Sequence, residues 1–218
     1  MRPLRVGRIY ADPMATSPEQ FYARAMSAAD ANGRLPLSRM AGWEVFPFER
    51  DGLRVAPLAP PQLPEPPRAG EAGRPCPACA PVPGVIWSDQ HWRLKQLGGE
   101  SGVPLLLILE SIAHVDLADL PDDRAAELGL LTVRITRAIE ALPHIARAHV
   151  ARWGDGGSHL HVWFLARPAG FAQLRGTCLA LWDDLLPPVP ADDRDRDAAA
   201  VAAALAAHGG HTTAGPAA

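Results

Sequence analysis

Ten of the 23 prolines in this 218-residue chain lie between Pro57 and Pro83. Proline lacks the backbone N–H that a helix interior or a central strand requires, so neither element can run through this region. Residues 59–74 are therefore predicted to be a linker. It separates an N-terminal extension, 1–58, from a domain, 75–188, and an alanine-rich tail, 189–218. A generic spacer is the main interpretation, and a proline-rich recognition ligand is the alternative.

The N-terminal extension carries signals for one helix and one hairpin. Ser17-Pro18-Glu19-Gln20 is a capping box with proline at the first helical position, and it predicts a helix that ends at Asn32-Gly33. Two short strands are predicted at 43–48 and 53–57, joined by a turn at Arg50-Asp51-Gly52.

The hydrophobic pattern after the linker alternates between strand and helix periods. In chain order it predicts three strands, then a helix, two more strands and a second helix. The strands are Val85–Trp87, Trp92–Leu97, Pro104–Leu109, Ile145–Trp153 and His159–Ala166, and the helices are Asp122–Leu142 and Phe171–Leu186. This order indicates an α+β fold in which helices pack on an antiparallel sheet of about five strands.

The C-terminal tail combines high helix propensity with few large apolar residues. Only Val201 and Leu205 are available for packing between residues 191 and 210. A weakly docked helix is therefore expected, followed by disorder in the last eight residues.

Composition excludes several classes of function. The 21 basic and 24 acidic residues give a net charge of -3, without the basic excess of a duplex-binding protein. No apolar run reaches the ~18 residues of a membrane helix, and no secretory h-region follows Met1. A cytoplasmic protein is expected, and three cysteines in a reducing compartment indicate metal or redox chemistry rather than disulfides.

Cys76-Pro77-Ala78-Cys79 has the Cys-x2-Cys spacing of a zinc knuckle. Two remote histidines would complete a tetrahedral Cys2His2 set, and His114 and His159 are the candidates. A redox pair is the alternative, but Pro81 and Pro83 prevent the helix that a thioredoxin-like motif requires after the cysteines.

The segment from Ser158 to Pro168 contains His159-Leu160-His161-Val162-Trp163. In a strand, alternation would place His159, His161 and Trp163 on one face. By itself, His-x-His on a strand is equally compatible with a structural role.

Together these motifs resemble the histidine triad superfamily of nucleotide hydrolases and transferases, whose signature is His-apolar-His-apolar-His-apolar-apolar. The matching positions occur in the family's order between Arg74 and Gly170. They are Cys76-x-x-Cys79, Asp89-Gln90-His91, the apolar strand from Gly102 to Leu109, His114-Val115-Asp116-Leu117, the helix after Pro121, and His159-Leu160-His161-Val162.

The resemblance implies that Cys76, Cys79, His114 and His159 bind a structural Zn²⁺ with no open coordination position. It further implies that His161 is a nucleophile. That histidine would attack the α-phosphorus of a nucleotide or nucleotide conjugate and carry a nucleotidyl intermediate.

Groups near His161 are candidates for holding the phosphoryl oxygens. They are Ser158, the backbone amides of Gly156 and Gly157, and the guanidinium groups of Arg152 and Arg167. Trp163 occupies the third triad position, where the family usually has histidine, and indole offers one donor and no acceptor.

Two classes of function therefore compete. The first is a histidine triad-like hydrolase or nucleotidyltransferase. The second is a non-catalytic, zinc-stabilised protein of the same fold that binds a ligand or partner, or an enzyme whose pocket has been adapted to another substrate. The resemblance also favours a homodimer, and the N-terminal extension could cover the same sheet edge instead.

Overall fold

The structure is a computed structural model that describes residues 18–81, 83–97 and 101–213. Its contacts divide the chain into two compact units, Met1–Pro66 and Pro67–Ala218. The last eight residues of the predicted linker, 67–74, thus belong to the second unit.

The first unit contains helix α1, Pro18–Met26, and a 3-10 turn, Arg39–Gly42. Helix α1 ends six residues before the predicted stop at Asn32. The Asp30 carboxylate accepts hydrogen bonds from the backbone amides of Asn32 and Arg34, at 2.8 and 3.0 Å, and this local turn competes with helical hydrogen bonds. Ser17, the predicted cap, lies outside the described residues.

The predicted hairpin at 43–57 is wrong. Its turn is present, because the Leu53 amide donates to the Arg50 carbonyl at 3.3 Å, but residues 43–57 form no strand. Pro47 and Pro57 each remove a donor that a ladder would use, and a hairpin without a third strand is only marginally stable.

The second unit is built on a six-stranded antiparallel sheet with the order β4-β5-β3-β2-β1-β6. Its strands are β1 Val85–Ser88, β2 Trp92–Gln96, β3 Leu106–Ser111, β4 Ile145–Ala151, β5 His161–Pro168 and β6 His211–Thr212. Strands β1 to β5 correspond to the five that the sequence predicts.

The helices of this unit are α2 Asp122–Glu140, α3 Leu179–Asp183 and α4 Ala191–Ala206. Helices α2 and α4 cover one face of the sheet and bury its alternate apolar side chains, as an α+β fold requires. The core residues of α2 and the three central strands are Leu131, Ile135, Ile139, Leu94, Leu107, Leu109, Leu160, Val162 and Phe164.

The C-terminal tail is not weakly docked, so that prediction is wrong. In α4, Ala198, Val201, Ala202 and Leu205 are at most 2% exposed and belong to the main core. Their small side chains allow the helix to approach the sheet closely, so the scarcity of large residues does not prevent burial. Residues 211 and 212 form β6, which pairs with β1, while residues 214–218 lie outside the described part of the chain.

Residues 171–186, which were predicted to form one helix, pack against the second face of the sheet around Leu165. That prediction is wrong: a 3-10 turn, Gly176–Cys178, leads into the short α3. Gly176 has φ +67°, a conformation that no α-helix contains. Leu174 and Leu179 pack with Val103 and Leu165 in a second apolar cluster, against which Trp163 also packs.

None of the helices in the described residues is both long enough and apolar enough to cross a membrane.

Candidate functional site

Four side chains converge beside the start of β5. Cys76 precedes the 3-10 turn Pro77–Cys79 and Cys79 ends it, while His114 follows β3 and His159 precedes β5. Their potential ligand atoms all lie within 4.8 Å of one another. The structure thus brings together all four residues that the sequence predicts as metal ligands.

The distances within this cluster match a tetrahedral ion. Sγ of Cys79 lies 3.2 Å from Nδ1 of His114 and 3.5 Å from Nδ1 of His159, and Sγ of Cys76 lies 3.6 Å from the same His159 nitrogen. Bond lengths of ~2.3 Å for Zn–S and ~2.0 Å for Zn–N at a tetrahedral angle imply S···N separations of about 3.5 Å. The donor set and its spacing therefore fit Zn²⁺.

The polar contacts that His159 and His114 make outside the cluster determine which ring nitrogen faces it. Nε2 of the buried His159 lies 2.7 Å from the Ser111 carbonyl, to which it donates, so Nδ1 keeps its lone pair. Nε2 of His114 lies 3.4 Å from Oγ of Ser158. Burial also lowers the pKa of His159, which favours the neutral imidazole that binds a metal.

The cysteine side of the cluster favours a bound cation. Burial raises the pKa of the Cys79 thiol, and the adjacent Cys76 raises it further. Two neighbouring thiols cannot both ionise cheaply unless a positive ion lies between them.

Residues 68–70 lie against the metal ligands, which the sequence did not predict. A Cβ on Gly70, whose φ is +88°, would lie 2.6 Å from Cε1 of His114 and 2.8 Å from Oγ of Ser158. Only glycine allows this approach. The Ala69 carbonyl accepts from both the amide and the hydroxyl of Ser158, at 3.0 and 3.2 Å.

An ion-pair network continues from this segment to the turn between β4 and β5. Arg68 donates to the Gly154 carbonyl at 2.8 Å, to Oδ2 of Asp116 at 2.8 Å and to Glu71 at 2.6 Å. Arg152 forms an ion pair with the other oxygen of Asp116. Burial opposes ionisation of Asp116, but the hydrogen bonds from Leu117 and Arg68 and the two arginine charges hold its pKa below the usual range.

His161 lies on the second face of the sheet with both ring nitrogens against backbone carbonyls. Nδ1 is 2.8 Å from the His159 carbonyl, and Nε2 is 2.8 Å from the Trp153 carbonyl. The Trp163 ring lies 6.3 Å from the His161 ring and 5.7 Å from the Trp153 ring, edge-on to both. His159 precedes the strand, so only His161 and Trp163 follow the predicted alternation.

The groups predicted to contact phosphate have other partners in the structure. Gly156 and Gly157 pair with Ala69, Ser158 lies at the metal cluster, and Arg152 pairs with Asp116. Arg167 lies six residues further along β5, about 20 Å away at ~3.3 Å per residue. Its guanidinium donates to the Phe171 carbonyl at 3.1 Å.

A buried carboxylate stands beside His161 instead. Glu110 on β3 is the cross-strand partner of both His161 and Arg93, and it is 3% exposed. One oxygen binds Arg93 at 2.9 Å, and the other forms an ion pair with Lys95. Arg93 also donates to the Ala78 carbonyl, which connects the Cys76–Cys79 turn to this row of side chains.

Sequence reasoning missed Arg68, Gly70, Asp116, Glu110 and Trp153. Glu110 carried a signal, because it is an acidic residue that directly continues a strand of apolar residues. Gly70 and Gly73 flank a short segment before Cys76, which is a weaker signal for a constrained turn. Arg68 and Asp116 are 48 residues apart in sequence, and no local pattern relates them.

No protein family model matches this chain, and no curated protein matches it. Among solved structures it is similar to a Zn-bound histidine triad family protein from Mycobacterium smegmatis, with 21% identity and TM-score 0.43 over 59% of this chain and 87% of that one. It is also similar to a histidine triad protein from Bradyrhizobium japonicum, with 21% identity and TM-score 0.44 over 54% and 86%.

A hypothetical histidine triad nucleotide-binding protein from Sulfolobus tokodaii is 11% identical, with TM-score 0.45 over 61% of this chain and 93% of that one. Identities and TM-scores this low do not transfer an activity or a ligand from these proteins to this chain.

Proposed function

We propose that this protein is a zinc-stabilised, histidine triad-like protein that binds a nucleotide or nucleotide conjugate at the His161 face without turning it over. One observation carries the proposal: both ring nitrogens of His161 lie 2.8 Å from backbone carbonyls. A neutral imidazole donates from one ring nitrogen only, so the carbonyl oxygen at the other nitrogen faces its lone pair and blocks the approach of a phosphorus atom.

The surroundings of His161 support binding over transfer. Trp163 offers no acceptor, and its Nε1 is buried without a hydrogen-bond partner among the described residues. Trp153 is 48% exposed and meets Trp163 edge-on, which provides aromatic surface for a planar base. The charged groups Arg93, Lys95 and Glu110 next to His161 carry a net positive charge, which favours an anionic ligand.

The metal would be structural. Cys76, Cys79, His114 and His159 would hold Zn²⁺ with four protein ligands, which leaves no position for substrate or water. When bound, the ion supplies a crosslink between residues 76–79, the end of β3 and the start of β5. The Ser111 carbonyl orients the imidazole of His159, and the Ser158 hydroxyl orients that of His114.

A second candidate function is hydrolysis or nucleotidyl transfer at an α-phosphate through His161. The contact of Nδ1 with the His159 carbonyl favours it, because that contact fixes the tautomer whose lone pair is on Nε2. For attack to occur, the Trp153 carbonyl must first leave Nε2.

The test is to incubate the zinc-loaded protein with nucleoside phosphoramidates, dinucleoside polyphosphates and sugar nucleotides. Calorimetry measures binding, and intact mass and chromatography detect an adduct or product. We expect binding without turnover in the native protein, weaker binding without turnover in His161→Ala, and measurable turnover in Trp163→His. Turnover or an adduct in the native protein that His161→Ala abolishes would establish the second candidate. Absence of both binding and turnover across the panel would contradict both.

A further inference from the structure

We propose that Arg68 is the positioning residue that holds the backbone of Trp153 over Nε2 of His161, and so controls the access of ligands to that nitrogen. The inference deepens the proposed function and depends on it in one respect, namely that the His161 face is a ligand site.

The group that covers Nε2 of His161, called the cap below, is the backbone carbonyl of Trp153 rather than a side chain. The Trp153 carbonyl lies 2.8 Å from Nε2, while Nδ1 is bound to the His159 carbonyl. A ligand that requires a ring nitrogen, such as a phosphoryl group, must therefore displace the Trp153 carbonyl. Access to His161 thus depends on whatever keeps the turn between β4 and β5 in place.

The Trp153 side chain is 48% exposed, and its ring meets the Trp163 ring edge-on. The turn is anchored at the two residues that flank Trp153. Arg152 is paired with Asp116, and the Gly154 carbonyl accepts from Nη1 of Arg68 at 2.8 Å. A side chain at Gly154 would collide with the Arg152 guanidinium, so the backbone passes directly against that group.

Arg68 contacts both groups that anchor the turn, the Gly154 carbonyl and the Asp116 carboxylate. Its Nη2 binds Oδ2 of Asp116 at 2.8 Å, and Asp116 in turn binds Arg152 through Oδ1. Its Nε and Nη2 bind Glu71 at 2.9 and 2.6 Å, which fixes the guanidinium plane. A planar fork with donors on three nitrogens can satisfy this set of acceptors, and a lysine ammonium on a flexible stem cannot.

The position of Arg68 in the chain links the cap to the metal centre. Arg68 lies two residues before Gly70, which contacts His114, and eight residues before Cys76. The segment 67–74 thus contacts the Cys2His2 cluster through Gly70 and the Asp116 network through Arg68. A change in this segment would move the cap without altering any residue of the sheet.

The test measures the reactivity of His161 towards diethyl pyrocarbonate in the full-length, zinc-loaded protein. Peptide mass spectrometry follows the modification of His161, normalised in each sample to His208, which is exposed at the end of α4. The variants are Arg68→Ala and Arg68→Lys. Arg124→Ala is the matched control, because the Arg124 side chain is 28% exposed against 29% for Arg68, and its ion pairs among the described residues are with Asp123 and Glu127 of α2.

We expect His161 to be protected in the native protein and in Arg124→Ala, and to react at least about tenfold faster in both Arg68 variants, since charge-assisted hydrogen bonds are lost. Unchanged His161 labelling in Arg68→Lys, with one zinc per chain retained, would overturn the proposal. If Arg68→Ala fails to fold, the labelling of His161 in Arg68→Lys alone tests the proposal. Labelling requires no nucleotide, so release of His161 without nucleotide binding would refute the proposed function alone.

Discussion

Nε2 of His144 lies 2.7 Å from Oδ2 of Asp197, which is a buried carboxylate on the core-facing side of α4. This contact ties the C-terminal helix to the residue just before β4. Among the described residues, the Asp197 carboxylate also faces Nε of Arg196, at 3.9 Å. The docking of α4 thus depends on a specific polar contact as well as on small apolar residues.

We expect His144→Ala to lower the free energy of unfolding by roughly 1–3 kcal/mol, because it leaves the buried Asp197 carboxylate without a hydrogen bond. Urea denaturation measures this. The control, His208→Ala, removes an exposed histidine at the end of α4 and should change stability by less than ~0.5 kcal/mol. Equal effects of the two variants would contradict the role of the pair.

Gly70→Ala should destabilise the protein and weaken zinc binding, because its Cβ would lie 2.6 Å from the His114 ring. Gly73→Ala is the matched control: its φ is +80° against +88° for Gly70, but a Cβ there meets nothing within 4 Å. Both variants share the cost of positive φ, about 1 kcal/mol. Only Gly70→Ala should also reduce zinc affinity in a competition titration with a chromogenic chelator, and equal affinities would refute the contact.

Removal of zinc with a chelator, or Cys76→Ser, should lower Tm. If free zinc exceeds Kd a hundredfold, binding contributes ~2.7 kcal/mol, which corresponds to about 5–10 °C for a chain of this length. Scanning calorimetry with metal analysis measures both quantities. Cys178→Ala, at a cysteine buried away from the cluster, should cost stability while retaining one zinc per chain. A chelator-insensitive Tm would contradict structural zinc.

Stability should fall as pH decreases below about 6.5 because of His149. Burial, and then the charge of Arg167, lowers the pKa of His149 in the folded state. The unfolded chain therefore binds a proton first, and the stability present above the unfolded pKa is lost as pH falls towards the folded one. The slope lies below ~1.4 kcal/mol per pH unit, since the ring is partly screened by solvent.

The measurement is the free energy of unfolding of His149→Gln between pH 7 and 5, in parallel with the native protein. The variant should show a flatter profile, whereas His208→Ala should reproduce the native slope. A His149→Gln profile as steep as the native one would show that another group is responsible.

Glu110→Gln should lower the free energy of unfolding by roughly 3–5 kcal/mol, because Arg93 and Lys95 would be left half-buried without a counter-charge. The control is Glu127→Gln, whose carboxylate is 39% exposed and pairs with Arg124 on the same helix. That change should cost about 1 kcal/mol or less. Chemical denaturation compares the two, and a cost at Glu110 no larger than at Glu127 would contradict the buried ion-pair role.

Local sequence was sufficient for the elements whose signal lies within a few residues. Strict periodicity identified α2 and the five long strands, because one buried face repeats at 3.6 or at two residues. The four residues of the Cys2His2 cluster were also predicted to meet, since Cys-x2-Cys is a metal-site spacing and the two histidines follow in the order of the resemblance. The antiparallel α+β class followed from the order of those elements.

Tertiary contacts overrode local signals elsewhere. The 43–57 hairpin had the right turn residues but no strand to complete a sheet, and the 171–186 helix was broken by Gly176 in a left-handed conformation. The α4 tail docked because its alanines fit closely against the sheet, and shape complementarity of that kind cannot be read from hydrophobicity.

The sequence by itself determined the four residues of the Cys2His2 cluster, the α+β class and the presence of His161 and Trp163 side by side on one strand face. Only the tertiary structure decided what surrounds His161: the Trp153 carbonyl at Nε2, the Arg68–Asp116–Arg152 network that holds that turn, and the buried Glu110. These partners are separated by up to 86 residues along the chain. Local patterns record which side chains a segment carries, but which backbone carbonyl lies against a ring nitrogen depends on how the turn that carries it is held by distant residues.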